Sequence, residues 1–324
     1  MRVLVTGGLG YVGSHVVHAL LANGHDVVTL DRVVPGLRRP LFPRERFVLA
    51  DVLLLGQSMS EAGSIGEIDA VVHLAAMIEA PQSVRLPEVY YRVNFSGTLN
   101  VLELAGTLGA SRFVFASSAA VYGRWATLPI EESQEGLTPE NPYGGSKLFG
   151  ERLVADVCAR RGIGCASLRF FNIVGSDPEV RAVPTGKGLF GAIVDAILGE
   201  RPHLNVYGTC FDTPDGSAIR DYVHVSDVAN AVLAALLNLQ SSEKGLSYNV
   251  GSGTGFSVKE VVAAARNEFQ SKLPLMLCAA RPGEVEASVA CIARARDKLG
   301  WQPKPVSLVQ ALREELEVRR AALV

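Results

Sequence analysis

Short apolar runs alternate with longer segments of helical period over the first half of the chain. Arg2–Thr6 is an apolar run closed by glycines, the pattern of a parallel strand buried on both faces. Tyr11–Ala22 repeats apolar residues at helical spacing and stops at Asn23-Gly24, a helix C-terminal signal. Asp26–Leu30, Phe47–Ala50, Ala70–Leu74, Arg112–Ser117 and Gly164–Phe170 repeat the strand pattern. Helical stretches separate several of them, notably Val89–Leu108 and a helix opened by Asn141-Pro142 that runs to Arg161. This β-α-β-α order predicts an α/β fold, a doubly wound parallel Rossmann sheet.

After Phe171 the texture changes. Asn172–Gly188 is rich in glycine, proline and charge and predicts a loop crossing into a second region. Helices at Leu189–Gly199, Ser226–Asn238 and Ser257–Phe269 then mix with short strands and many prolines. The expected organisation is a Rossmann domain over 1–172, with returning segments near 220–252. Residues 173–324 form mainly a smaller, mixed α/β C-terminal substrate lobe, packed on the first with a cleft between.

Composition fits that picture. The chain has 324 residues, 48% of them hydrophobic and 20% charged, enough for a sizeable core. Lys and Arg total 31 against 33 Asp and Glu, a net of −2. No broad basic field exists for nucleic acid or an anionic membrane, so neither is an expected partner. The opening apolar run is too short for a signal peptide, and no stretch reaches a bilayer-spanning length. Five scattered cysteines without a C-x-x-C pair read as reduced thiols, which predicts a cytoplasmic protein with no metal site.

Gly7, Gly10 and Gly13 form G-x-x-G-x-x-G between the first predicted strand and helix. Glycines there let backbone approach a pyrophosphate, and the helix N-terminus offers free N–H groups. Asp31 ends the second strand 18 positions after Gly13. Its carboxylate can accept from adenosine ribose hydroxyls and repel a 2′-phosphate, favouring NAD over NADP, while Arg32 beside it offsets that repulsion. Asp51-Val52 ends the third strand, in reach of the adenine.

Tyr143 and Lys147 stand four apart on one helix face. A tyrosine is a poor base at pH 7, so the expectation is that the nearby ammonium lowers its pKa. Tyr143 then serves as base and acid for an alcohol that loses a hydride. Alone, such a pair equally suits an ordinary helix surface. Ser117 and Ser118 follow the strand Arg112–Ser117 at the sheet edge where ligands bind, and a hydroxyl there can relay a proton.

Several longer segments carry a resemblance. They are VTGGLGYVGSH at Val5–His15, FASSAAVYG at Phe115–Gly123, PYGGSK at Pro142–Lys147, LRFFN at Leu168–Asn172 and VYGTCFDTPDGSAIRDYVHVSDVA at Val206–Ala229. Together they resemble the UDP-glucose (UDP-galactose) 4-epimerase family of the extended short-chain dehydrogenase/reductase superfamily, over essentially the whole chain. The resemblance implies bound NAD, a UDP-sugar oxidised and reduced again at C4 through a 4-keto intermediate, and a homodimer. It implies catalytic roles for Ser118, Tyr143 and Lys147. It implies cofactor contacts at Gly7, Gly10, Tyr11, Val12, Gly13, Asp31, Arg32, Asp51, Val52, Leu74, Ala75, Ala76, Asn94, Tyr143, Lys147 and Phe170. On the substrate side it implies Ser118, Tyr143, Asn172, Leu189, Val206, Tyr207, Arg220, Arg281, Glu284 and Ser288.

The chain also departs from the family pattern. A lysine often found near the nicotinamide is Ile78, an asparagine at the sugar-nucleotide phosphate is replaced around Gly188, and an aspartate near the C-terminal strand is Cys291. Related 4,6-dehydratases carry Asp-Glu where this chain has Ala119 and Ala120, so dehydration is disfavoured. Ser288 stands where a tyrosine in some members fills the pocket around the sugar's 2-substituent, which implies acceptance of N-acetylated hexosamines. An epimerase of a uronate, pentose or modified hexosamine remains an alternative, as do a simple dehydrogenase and a non-catalytic nucleotide-sugar sensor.

Overall fold

A computed structural model of the chain describes residues 1–321, apart from 37, 38, 40, 56–64, 125, 181, 183–187, 240–244 and 282. Pro282 of the Arg281–Glu284 turn and residues 183–187 of the expected crossing loop therefore lie outside the described residues.

Seven parallel strands form the central sheet: β1 (Arg2–Thr6), β2 (Asp26–Asp31), β3 (Glu45–Leu49), β4 (Ala70–His73), β5 (Arg112–Ser118), β6 (Gly164–Phe170) and β10 (Leu246–Val250). Their order is β10-β6-β5-β4-β1-β2-β3, so the winding reverses beside β1. Side chains alternate between the two faces, as a pleated strand requires. Val3 and Val5 of β1 join one apolar cluster, with Val16, Val17 and Leu20 of α1 (Tyr11–Ala22) and with α7 (Val225–Asn238). Leu4 joins the opposite cluster, with Val101 and Leu102 of α4 (Gly97–Thr107) and Val154 of α5 (Pro142–Arg161). Each such buried aliphatic side chain contributes about 1.5–3 kcal/mol, so this two-sided burial holds the switch point rigid.

The last sheet strand, β10, follows α7 in sequence, so the chain returns to the central sheet after leaving it. Between these visits lie β7 (Asn172–Val174), α6 (Leu189–Ile197), β8 (Leu204–Tyr207) and β9 (Ile219–His224). Later come β11 (Gly255–Ser257), α8 (Val258–Phe269), β12 (Leu275–Cys278), β13 (Ala287–Ser288), α9 (Ala293–Leu299) and α10 (Leu308–Ala321). Strand β9 is the hub of a small mixed sheet with β7, β11 and β13, and β8 pairs β12 separately.

Three elements differ from the periodicity reading. The third strand spans Glu45–Leu49, not Phe47–Ala50, because Glu45 is buried against a partner charge that an apolar pattern excludes. The single helix expected over Val89–Leu108 is α3 (Pro87–Tyr91), a π-turn (Arg92–Ser96) and α4, preceded by α2 (Ala80–Arg85). The π-turn contains Asn94, whose side chain is drawn inward to backbone and to another helix. Finally, β7 lies within the segment read as loop; it is three residues long and depends on β9 for its pairing.

Candidate active site

The first βα turn packs too closely for side chains. A Cβ on Gly13 would lie 2.1 Å from the Gly7 carbonyl oxygen, and one on Gly7 would lie 2.8 Å from Ala75 N, where φ is also +73°. Gly10 precedes α1 without a capping side chain, and no acid stands in the first turn. The helix thus presents bare N–H groups and its positive end to the switch point, a donor set that fits a dinucleotide's pyrophosphate. Asp31 sits at the tip of β2, 8% exposed, accepting from Leu9 N and Val33 N at 3.1 Å each. A carboxylate has further lone pairs for ribose hydroxyls. Arg32 is mostly exposed and lies 4.0 Å from Asp51, while the Asp51 carboxylate also accepts from Leu53 N. Val52 is buried beside Gly97.

Tyr143 and Lys147 lie in the first two turns of α5. The helix starts there because Asn141 accepts from Gly144 N at 3.0 Å and Pro142 occupies the first helical position. Lys147 is buried, with Nζ donating to the Ala116 carbonyl at 2.8 Å and lying 5.1 Å from the Phe115 ring centre. Burial lowers its pKa to about 7, against the opposing pull of Glu151 one turn on. Beneath it His73 bridges the Thr6 and Thr98 hydroxyls, and burial pushes its pKa down to about 3, so it is neutral.

The Tyr143 phenol behaves differently from the expectation. Its pKa is raised, because burial outweighs the lowering hydrogen bond from Ser118, and Tyr90 adds to the rise. Lys147 is turned toward Ala116 O and its charge is itself weakened by burial.

The two serines of β5 part company. Strand alternation sends Ser117 into the sheet's interior, where it donates to Glu151 at 2.5 Å. Ser118, the last strand residue, lines the cleft and accepts from Ala120 N at 3.2 Å. Glu151 is held by Arg169 through two bonds of 2.9 and 2.7 Å, and Arg169 also donates to Tyr122. Sequence reading missed this group behind Lys147. The available signal was an acid one turn after Lys147 on the same helix face.

Two adjoining cavities share Ser118, Phe170, Phe171 and Asn172. One, about 340 Å³, is lined by Tyr11, Val12, Leu74, Ile78, Tyr143, Lys147, Gly188 and Leu189. Glu315 of α10 reaches its wall, accepts from Gly175 N, and has a pKa raised by burial to about 8. Tyr11 donates to the Gly175 carbonyl beside it. No sequence pattern marked Glu315. Ala75 N lies against Thr6 Oγ1, and Ala76 continues that loop past β4. Asn94 is buried with its amide committed to Met77 and Ser146, so it braces this loop.

The other cavity, about 490 Å³, is lined by Arg220, Arg281, Glu284 and Ser288. Arg220 donates to Glu284 at 2.7 Å and to Ile219 O at 2.8 Å. Arg281 is exposed and stacks 3.7 Å from the Tyr207 ring centre. A hydrogen bond from Asn205, then one from Arg281, lowers the Tyr207 phenol. Val206 is buried within β8. The signature at Val206–Ala229 has a structural share: Asp221 is fully buried and accepts from Ser252 N, Ser252 Oγ, Gly253 N and Ala290 N, tying β9 to its neighbours.

Known proteins are similar to this chain in sequence and fold. The chain is 40% identical to a UDP-glucose 4-epimerase of Azospirillum brasilense, over 99% of this chain and 92% of that protein. Among solved structures, it is similar to a UDP-glucose-4-epimerase from Stenotrophomonas maltophila with bound NAD and formylated UDP-arabinopyranose (TM-score 0.89, 32% identity, 100% and 99% of the two chains). It is also similar to one from Bifidobacterium longum in complex with NAD+ and UDP (TM-score 0.86, 31% identity, 99% and 98%). The family model described as NAD dependent epimerase/dehydratase matches residues 3–251, and the chain belongs to that family.

Proposed function

We propose that the protein is an NAD-dependent sugar-nucleotide 4-epimerase that interconverts UDP-glucose and UDP-galactose through a transient 4-keto intermediate. The observation that carries this reading is the junction of the two cavities at Ser118, with a half-buried tyrosine and a buried lysine on one side and two arginines on the other. The glycine loop would hold the NAD pyrophosphate, Asp31 the adenosine ribose, and Asp51 with Val52 the adenine. Leu74, Ala75, Ala76 and Phe170 would flank the nicotinamide half. When bound, NAD supplies a hydride acceptor that returns what it takes.

Tyr143 takes the proton of the sugar 4-hydroxyl, directly or through Ser118, and later gives it back. Its raised pKa makes positive charge beside it necessary, and Lys147 on the same helix face supplies it in its protonated form, the fraction left by a pKa lowered to about 7. Arg220 and Arg281 grip the diphosphate, Glu284 the uridine ribose, and Asn172, Leu189, Val206 and Tyr207 the surrounding walls. Firm hold on the UDP end and loose hold on the hexose let the keto sugar present its other face. Ser288, small and on the cavity wall, leaves room for an N-acetyl group, so UDP-N-acetylglucosamine and UDP-N-acetylgalactosamine are included in the proposed substrates.

A panel of UDP-sugars with separation of the C4 epimers tests this. Absence of epimerisation of every sugar overturns the function. Turnover of UDP-glucose with none of UDP-N-acetylglucosamine overturns only the wider range, and stoichiometric net NADH would mark a dehydrogenase. The same reading includes a cytoplasmic homodimer. Tyr91 and Phe149, 36% and 54% exposed with rings 6.2 Å apart, form an aromatic face on α3 and α5 that a second copy would cover. Light scattering at working concentration measures that mass.

A further inference from the structure

Behind the glycine loop lies an ion pair that the mechanism above does not use. Arg39 stands in the connection from β2 to β3 and Glu45 opens β3; their side chains are 1% and 0% exposed. Two guanidinium nitrogens donate to the Glu45 carboxylate at 2.8 and 2.9 Å. Thr29 Oγ1 and Phe42 N donate to the same carboxylate at 2.5 and 2.8 Å. The other side of the guanidinium faces the loop. Nε donates to Ser14 Oγ at 2.9 Å, and one terminal nitrogen donates to the Gly8 carbonyl at 3.1 Å. Ser14 Oγ in turn donates to the Gly10 carbonyl at 2.7 Å.

A trans peptide points its C=O and N–H in opposite directions. The Gly10 carbonyl accepts the first helical bond from Ser14 N at 2.9 Å as well as the Ser14 hydroxyl, and its direction along α1 turns Tyr11 N–H, one of the first helical donors without an intrahelical acceptor, to the loop's outer side. Drawing back the Gly8 carbonyl turns Leu9 N–H to Asp31, which accepts it at 3.1 Å. We infer that Arg39, clamped by Glu45, is a positioning residue for NAD: it sets the 8–9 peptide directly and, through Ser14 Oγ, steadies the 10–11 peptide that the first helical bond orients, and so acts on both the ribose carboxylate and a pyrophosphate donor. The inference rests on the glycine loop being the cofactor's phosphate site. Geometry, not charge, is the device, because the pair is neutral as a whole.

Hydrophobic replacement of a buried ion pair commonly preserves stability, which separates positioning from folding. The test compares the parent with Arg39→Met/Glu45→Leu and with Arg39→Lys. It measures NAD per chain after purification, the rate of NAD release on dilution, the melting temperature and KM for UDP-glucose. The double variant is expected to melt within a few degrees of the parent, keep its KM, and release NAD about tenfold faster, the effect of one misaligned charge-assisted hydrogen bond. Arg39→Lys keeps the pairing charge but has no planar fork, so release is expected to be several-fold faster; it carries the test if the double variant does not fold. Folded variants that release NAD at the parental rate overturn the inference. A parent protein that never carries NAD overturns the cofactor reading and the inference with it.

Discussion

At the glycine-loop end of the cleft, the groups facing an anion are backbone N–H dipoles. The charges behind them, Arg39 and Glu45, are sealed from water and neutral as a pair. At the other end, the groups facing an anion are two guanidiniums. Arg220 is bound to Glu284, and Arg281 lies exposed on the Tyr207 ring. The first arrangement is pre-organised and suits a cofactor kept through many turnovers. The second has partners to exchange and suits a substrate that must leave. On the proposed reading the same ligand chemistry, a diphosphate, is met by fixed dipoles at one end and by rearrangeable charge at the other.

If the ends are separable, the chemistry at their seam should be removable without disturbing either. Tyr143→Phe is expected to lower kcat by about 10²–10⁴-fold, the usual share of general acid–base catalysis. NAD content and UDP-glucose binding should stay near parental values. Loss of NAD alongside activity would show that the phenol also holds the cofactor and would break the separation. Single-turnover assays and NAD released on denaturation give both quantities.

The pre-organised end should be intolerant of small changes. In Gly13→Ala the new Cβ meets the Gly7 carbonyl at 2.1 Å, a backbone atom that cannot swing aside. Overpacking of this kind costs about 1–3 kcal/mol, so NAD affinity should fall roughly ten- to a hundredfold. The protein should otherwise remain folded. NAD retained at parental affinity would mean that the loop adapts and is not pre-organised.

How much of each end was legible in the sequence follows the same division. The glycine loop, Asp31 and the Tyr143–Lys147 spacing are local patterns, so periodicity and spacing reach their positions; the raised Tyr143 pKa comes from burial by the rest of the fold and was not legible there. Arg39 and Glu45 were invisible because several charges crowd that connection and only the fold selects the pair it buries. Glu315 arrives from the last helix, and Glu151 acts from behind Lys147; neither has a local pattern beyond its spacing or type. Of the substrate end, the residue types at Arg220, Arg281 and Glu284 were readable by resemblance. Their pairings with one another and with Tyr207 depend on how β8, β9 and the turn after β12 meet.

The rearrangeable end should lose affinity without losing chemistry. Arg281→Met removes a guanidinium proposed to grip the diphosphate, and since hydrogen bonds to charged groups are worth about 1.5–3 kcal/mol, KM for UDP-glucose should rise about tenfold or more with kcat changed little. Stacking on Tyr207 is lost as well, but that pairing lies on the surface and contributes little to the fold. A fall in kcat with KM unchanged would assign Arg281 to the reacting sugar instead.

Burial of charge at the cofactor end also links it to pH. Lys147 has a folded pKa of about 7, below its ordinary 10.5. Between those values the unfolded chain binds the proton and the folded one does not, so stability gained from this group rises with pH from about 7 to 10. The slope is at most about 1.4 kcal/mol per pH unit. Glu315 works the other way: its pKa is raised to about 8 from 4.5, so its contribution falls as pH climbs through 8. Lys147→Met isolates the lysine. Relative to the parent it should be more stable at pH 6 and lose that advantage by pH 10, in paired melting curves. An advantage that does not vary with pH would place the ammonium in a wet site instead of a buried one.

Salt gives the smallest and most direct contrast. Raising ionic strength from about 0.05 to 0.5 M shortens the screening length from more than 10 Å to less than 5 Å. Arg281 is exposed and Arg220 only part-buried, so their attraction for a diphosphate is screened, and KM for UDP-glucose should rise about two- to fourfold. The glycine loop presents dipoles at contact distance, backed by a buried neutral pair, and the rate of NAD release should stay unchanged over the same range. Equal salt sensitivity at both ends would mean that NAD, too, is held by solvent-facing charge. Arg32, the exposed cation beside Asp31, would then be the first residue to test, by Arg32→Gln.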